Sequence, residues 1–160
     1  MFVLGIDPGL TTTGFGLVRS GHPPVAVAVG VIRTDPAASV AIRLVELHRD
    51  LTDLIADHSP EAVAIEQMFT NLNRMTANGV GRASGVAILA AAQAGLPVFE
   101  YSPTAVKSTV TGDGGARKSQ VQRMITRRLH LAVAPAPADA ADALAVALCH
   151  LQSVRLGAVS

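Results

Sequence analysis

Four acidic residues carry the chemical signal of this sequence. Asp7 follows the apolar run Phe2-Val3-Leu4-Gly5-Ile6, and Glu66 closes the run Ala62-Val63-Ala64-Ile65. Asp139 and Asp142 stand three residues apart after the Pro135 and Pro137 breaks, where an Ala-rich helical pattern begins. Residues at i and i+3 share a helix face, so the last pair can aim at one point. Ends of strands in α/β sheets are where ligand sites gather. A helix laid beside the ends of the first and fourth strands therefore brings all four acids together. Such a cluster cannot stay ionised and unpaired in a partly dry site. Oxygen-only donors select hard cations, Mg²⁺ or Mn²⁺, and no Cys/His ligand pattern competes. Two such ions can activate water and stabilise both oxygens of an in-line phosphoryl displacement, so the implied chemistry is phosphodiester hydrolysis. Taken singly, each acid has an ordinary account as well: Asp139 as a helix cap, Asp7 as a turn residue before Pro8-Gly9.

The elements that must position these acids are readable from periodicity. Residues 2–6, 13–19 and 25–33 read as three strands with no room for helices between them, hence an antiparallel meander. Asp35-Pro36 has the form of an N-cap followed by proline at the first helical position. Val40, Leu44, Leu47, Leu51, Leu54 and Ile55 then follow at helical spacing, up to Pro60. Residues 62–66 form a strand, 73–94 a helix closed by Gly95, and 97–101 a strand. Ser102-Pro103 opens a short helix to about residue 110, and residues 111–115 form a Gly-rich loop. A basic helix over 117–130 and a last helix from 138 to about 154 complete the order. Three strands followed by alternating helices and strands predict an α/β fold: a mixed five-stranded sheet with helices on both faces. The 160 residues read as one domain, with its core over about 2–154.

Composition narrows the class. With 49% hydrophobic and 16% charged residues the chain is globular. The lone Cys149 excludes an intrachain disulfide and reads as a small buried apolar residue. The stretch from Val80 to Leu96 contains Arg82 and is too short to span a membrane, and the N-terminus lacks the pattern of a signal peptide. The expected location is cytoplasmic. Net charge is +1, but residues 101–160 hold seven of the 13 Lys and Arg and only three of the 12 acids. A basic C-terminal portion is compatible with phosphate contacts and equally with a solvated helix face. Arg123, Arg127 and Arg128 on the basic helix are the candidates for backbone contact. Thr11, Thr12, Thr13 and Ser119 could add hydroxyl or N–H contacts, although turns and caps are their ordinary use. His130 and His150 are read as surface or capping residues. Gly79, Gly81, Ala83, Gly85 and Ala87 permit close helix approach, either to a second copy of the chain or to the sheet.

Ile6-Asp7-Pro8-Gly9, Ala64-Ile65-Glu66-Gln67 with Phe69, and residues 138–145 together resemble the RuvC Holliday-junction resolvases. Gly85-Val86-Ala87, Val106-Lys107, Gly112-Asp113-Gly114 and Lys118-Ser119-Gln120-Val121 match that family in the same order, so the resemblance spans about residues 2–151. It implies an RNase H-like fold, a homodimer, and hydrolytic nicking of two symmetric strands of a four-way junction to give ligatable ends. It implies two Mg²⁺ per subunit, replaceable by Mn²⁺, held by Asp7, Glu66, Asp139 and Asp142. Lys107 and Lys118 align with basic residues near the scissile phosphate, and Lys118 would neutralise charge growing there. Phe69 matches an aromatic that the family inserts near the junction centre; from its residue type alone it reads as core. Arg117 stands where relatives often carry an acid, which makes the local field more positive. The resemblance also suggests cooperation with the RuvA–RuvB branch-migration complex. Three other readings are compatible with parts of the sequence: an actin-like ATPase or sugar kinase, for which 160 residues are too few; a junction-binding protein without nuclease activity, against which the four acids speak; and a related nuclease acting on other branched or structured nucleic acid, which substrate competition would separate.

Overall fold

A computed structural model of the chain describes residues 1–67 and 74–157. Three strands come first: β1 (Phe2–Asp7), β2 (Thr12–Arg19) and β3 (Val25–Arg33). Helix α1 (Val40–His58), strand β4 (Ala62–Glu66), helix α2 (Arg74–Gln93) and strand β5 (Val98–Tyr101) follow. Helices α3 (Pro103–Thr111), α4 (Lys118–Arg128) and α5 (Ala138–Arg155) complete the order. The sheet order is β3-β2-β1-β4-β5. The first three strands form the expected meander, while β4 and β5 run parallel to β1 because a helix carries the chain back before each of them.

Helices α1 and α2 cover one face. Leu4, Ile6, Leu17, Val63 and Ile65 meet Leu47, Leu51, Ile55, Ala83, Ala87 and Ala91 there. Helices α3, α4 and α5 cover the other, where Val3, Val18, Ala64 and Tyr101 meet Val106, Val110, Ile125, Leu144 and Leu148. Alternation along β1 explains the split: Val3 faces one layer, Leu4 and Ile6 the opposite one. Helix α5 is buried almost all round, from Ala140 to Leu151 with Asp142 the exception. Its small side chains lie on a lane of glycines. A Cβ added at Gly5 would stand 2.1 Å from the Ala143 carbonyl oxygen, one at Gly14 2.0 Å from the Asp139 carbonyl oxygen, and one at Gly16 2.7 Å from Leu144. Only bare backbone on β1 and β2 lets this helix sit so low on the sheet.

Two local expectations are corrected, the cap of α1 and the exposure of His150. Helix α1 is capped by Ser39, whose hydroxyl accepts from the Ile42 N–H at 3.4 Å. The Asp35 carboxylate instead accepts from the Ala37 N–H at 2.8 Å, closing a turn just upstream. The Asp35 side chain is committed to that turn, four residues ahead of Ser39, and Ser39, directly before the first helical residue, supplies the cap. His150 is fully buried, because α5 presents its whole circumference to other layers. Its Nδ1 pairs with the Tyr101 hydroxyl at 2.8 Å and its ring packs on Phe99 with centroids 4.4 Å apart. The stripe of small residues on α2 divides: Ala83 and Ala87 are buried, whereas Gly81 and Gly85 lie on the exposed face. His130 is exposed and, at φ 51°, ends the turn that follows α4.

Candidate active site

Parallel pairing of β1 with β4 sets Ile6 against Ile65, so the next residues, Asp7 and Glu66, emerge side by side from one end of the sheet. Across the other neighbour, Asp7 pairs with Gly14. The backbone of Asp139 lies directly over Gly14, so the first turn of α5 is held against the Asp7 strand end. One helical turn on, Asp142 turns toward the same place and receives Lys118 Nζ at 3.2 Å. Lys118 is the first residue of α4 and reaches in from solvent.

Electrostatics joins these groups into one site. Burial pushes the Asp7 carboxyl up to about 8, and the charges of Glu66, Asp142 and Asp139 push in the same direction against Lys118. Glu66 is raised to about 7, by burial and then by Asp142, while Lys118, a hydrogen bond with Asp7 and Lys107 hold it down. Lys118 is raised in turn, chiefly by Asp142. Two neighbouring carboxyls that resist ionisation together behave as a pair sharing a proton. Asp7 thus feels the other three acids named from the sequence, and Glu66 feels Asp142, Asp7 and both lysines.

The remaining candidates fall elsewhere. Phe69 lies outside the described residues. Arg117 is exposed at the N-terminus of α4, its backbone N–H bonded to Gln120 Oε1 at 2.7 Å. Arg123 and Arg127 are exposed and, with Ser119, Thr126 and His130, line an open groove of about 780 Å³ along α4. Arg128 has a task inside the fold: it donates to the carbonyls of Thr109 and Val110 at 3.2 and 3.3 Å and to Gln152 Oε1 at 2.9 Å. It caps the end of α3 and ties it to α5. Sequence reading missed the glycine lane under α5. Its signal was Gly14 and Gly16 alternating on one face of a strand, a pattern that marks close backbone approach.

The donor set suits a hard divalent ion. It consists of carboxylate oxygens, and burial, with the neighbouring acids, raises its two most buried members, Asp7 to about 8 and Glu66 to about 7, a cost that a bound cation would offset. Among the described residues no three acidic, His or Cys groups are yet drawn around a common point, and Lys118 engages Asp142.

The family model described as crossover junction endodeoxyribonuclease RuvC matches residues 3–150. The chain belongs to this family. A relative of that description from Salinispora arenicola is 52% identical over 153 residues, 94% of this chain and 87% of that protein. Another, from Syntrophomonas wolfei, is 48% identical over 157 residues, 98% and 91% of the two chains. Among solved structures, Thermus thermophilus RuvC in complex with Holliday junction substrate superposes with a TM-score of 0.93 at 37% identity, covering 98% of this chain and 96% of that one. The yeast mitochondrial Holliday junction resolvase, at 13% identity and a TM-score of 0.64, shares the fold. The RNase H-like architecture is thereby shown, and the chain is a hydrolytic nuclease of the crossover-junction class. Membership of this nuclease family implies use of a divalent metal.

Proposed function

We propose that this protein resolves four-way DNA junctions as a homodimer, each subunit hydrolysing one phosphodiester with Asp7, Glu66, Asp139 and Asp142 as metal ligands. The observation that supports it most is that Asp7, at one end of the sheet, lies within the field of Glu66, Asp142 and Asp139 in a chain of this family. Two Mg²⁺ ions, or Mn²⁺, bound there would supply a water nucleophile and charge stabilisation for both oxygens of the displacement. Asp7 stands centrally, within the influence of the other three acids, and would hold the metal from the end of β1. Glu66 and Asp142 orient the site from strand and helix, and Asp139 completes it from the first turn of α5. Lys118, held 3.2 Å from Asp142, would neutralise charge growing on the phosphate. Lys107, whose charge reaches Glu66, positions the backbone.

Arg123 and Arg127, with Arg117, offer backbone contacts along α4, and Phe69 serves the junction centre. The exposed face of α2, with Gly81, Gly85 and the half-exposed Leu89, is the surface we assign to the dimer. Among the described residues no helix is long and apolar enough to cross a membrane. The single domain acts in the cytoplasm, in recombination and repair, with the RuvA–RuvB complex as its partner.

The deciding experiment compares a labelled four-way junction with the matching linear duplex, in Mg²⁺ and in EDTA. Paired symmetric nicks in the junction alone are expected with Mg²⁺. Asp7→Asn is expected to bind the junction and to cut at least about 10³-fold more slowly. Equal cutting of junction and duplex, or cutting that survives EDTA, would refute the proposal.

A further inference from the structure

Arg43 is a buried charge that the fold does not explain. It lies on the inner side of the first turn of α1 and is only 8% exposed. Its Nε donates to Thr34 Oγ1 at 2.9 Å, and its Nη2 to Thr11 Oγ1 at 2.8 Å. The Thr34 hydroxyl passes the connection on to the Leu10 carbonyl at 2.6 Å, and the Thr34 N–H donates to the Thr11 carbonyl at 3.1 Å. These bonds tie α1 to the turn that follows Asp7. A neutral amide could make them. Yet Arg43 enters no ion pair among the described residues. A guanidinium withdrawn from water without a counter-charge is costly, and two hydroxyl oxygens offset little of it.

The charge faces a cleft. Arg43 lines a cavity of about 740 Å³ together with Thr11, Thr12, Asn78, Arg82 and Asp139. The cavity thus reaches one of the four acids and is walled by α1 and α2, whereas Lys118 and α4 belong to the layer on the other face of the sheet. Apart from Asp139, which belongs to the carboxylate cluster, the polar part of its lining carries two guanidiniums, hydroxyls and an amide, with no other acid among the described residues; Leu10, Val40, Met75 and Val80 supply the apolar part. Arg binds phosphate through several parallel N–H bonds, and a partly buried site strengthens each of them.

We infer that this cleft is a phosphate subsite of the substrate strand. Arg43 anchors a backbone phosphate next to the one being cut, and Thr11, Thr12 and Arg82 complete its surroundings. The inference rests on the junction-nuclease reading and adds a second point of attachment, in the layer on the other face of the sheet from Lys118. Two separate anchors fix the direction of the strand through the site, which one anchor cannot do. Arg43 acts on binding and alignment and takes no part in the chemical step.

The test measures junction binding in EDTA across a series of salt concentrations for wild type, Arg43→Gln and Thr11→Glu, each checked for folding by its melting curve. A lost phosphate contact makes the slope of log K against log salt shallower by about 1. Arg43→Gln is expected to show that change, with binding roughly tenfold weaker. Thr11→Glu sets a carboxylate beside the guanidinium in place of the phosphate. It is expected to weaken binding and to make the salt slope shallower, as Arg43→Gln does, and it serves even where Arg43→Gln folds poorly. An unchanged salt slope in Arg43→Gln, or wild-type binding by Thr11→Glu, overturns the subsite and leaves the nuclease reading standing. A wild-type protein that does not bind the junction overturns both.

Discussion

At the scale of residues, the site is defined by charges that the protein alone cannot satisfy. Asp7 and Glu66 have folded-state values of about 8 and about 7, against 3.8 and 4.5 for the free groups. An acid raised in this way binds more protons folded than unfolded between the two values, so stability falls as pH rises through that interval. Below the free values the pair imposes no penalty, and the penalty is complete only above about pH 8. The metal-free protein is therefore expected to melt lower at about pH 9 than at about pH 5, by some 5 °C or more. Mg²⁺ should restore the loss, and Asp7→Asn should flatten the profile. Scanning calorimetry across pH decides it: a parallel profile for wild type and variant would show that Asp7 is not the titrating group.

Lys118 belongs to the same scale. It has no other acid within ion-pair distance among the described residues, so its position depends on Asp142. Lys118→Ala is expected to lower kcat by about 10²-fold with a smaller change in junction affinity, as for loss of a group that meets charge developing in the transition state. A change confined to affinity would assign Lys118 to binding alone.

At the scale of elements, α5 decides whether the acids meet. The helix is Ala-rich where it faces the sheet, and the sheet is glycine where it faces the helix. Gly14→Ala would drive a methyl into the Asp139 carbonyl, which is backbone and cannot rotate away. The expected result is a loss of about 3 kcal/mol in stability together with weakened metal binding, since Asp139 moves with the helix. Urea melts and metal titration of one variant read both, and an intact metal affinity would show that the lane serves packing only. Helix α4 mixes two kinds of arginine that look alike in sequence. Arg123 and Arg127 are exposed, while Arg128 spends its donors on Thr109, Val110 and Gln152. Arg128→Ala is expected to cost about 1–2 kcal/mol of stability and to leave the salt slope of junction binding unchanged.

At the scale of the whole molecule, the sheet separates two tasks. One covering layer, α3 to α5, carries the acids of the last helix and both lysines. The other, α1 and α2, carries the Arg43 cleft and the exposed glycine face. If that face joins two subunits, Leu89→Glu should shift the protein from dimer to monomer in sedimentation and convert paired junction cleavage into single nicks. A Leu89→Glu variant that stays dimeric would move the interface elsewhere.

Much of this architecture is legible in one dimension, for local reasons. Strand and helix periodicity, Gly95 in a left-handed conformation after α2, and Ser102-Pro103 opening α3 are encoded within a few residues of where they act. The position of Asp7 and Glu66 at strand ends is encoded in the same way, and parallel pairing then makes them neighbours. Non-local facts were not legible. Asp35 and Ser39 compete for one helix start, and only the folded turn shows which carboxylate or hydroxyl is already engaged. Arg123 and Arg128 have the same side chain on the same helix, and their fates differ because α3 ends beside only one of them. His150 reads as polar surface until a helix buried on all sides encloses it. The sequence by itself determined the elements, the four acids and the order in which they arise, because those depend on neighbours along the chain. Tertiary structure alone decided how closely α5 lies on the sheet, which arginines of α4 stay exposed, and that Arg43 is buried without a counter-charge among the described residues, because each depends on groups distant in sequence arriving at one place.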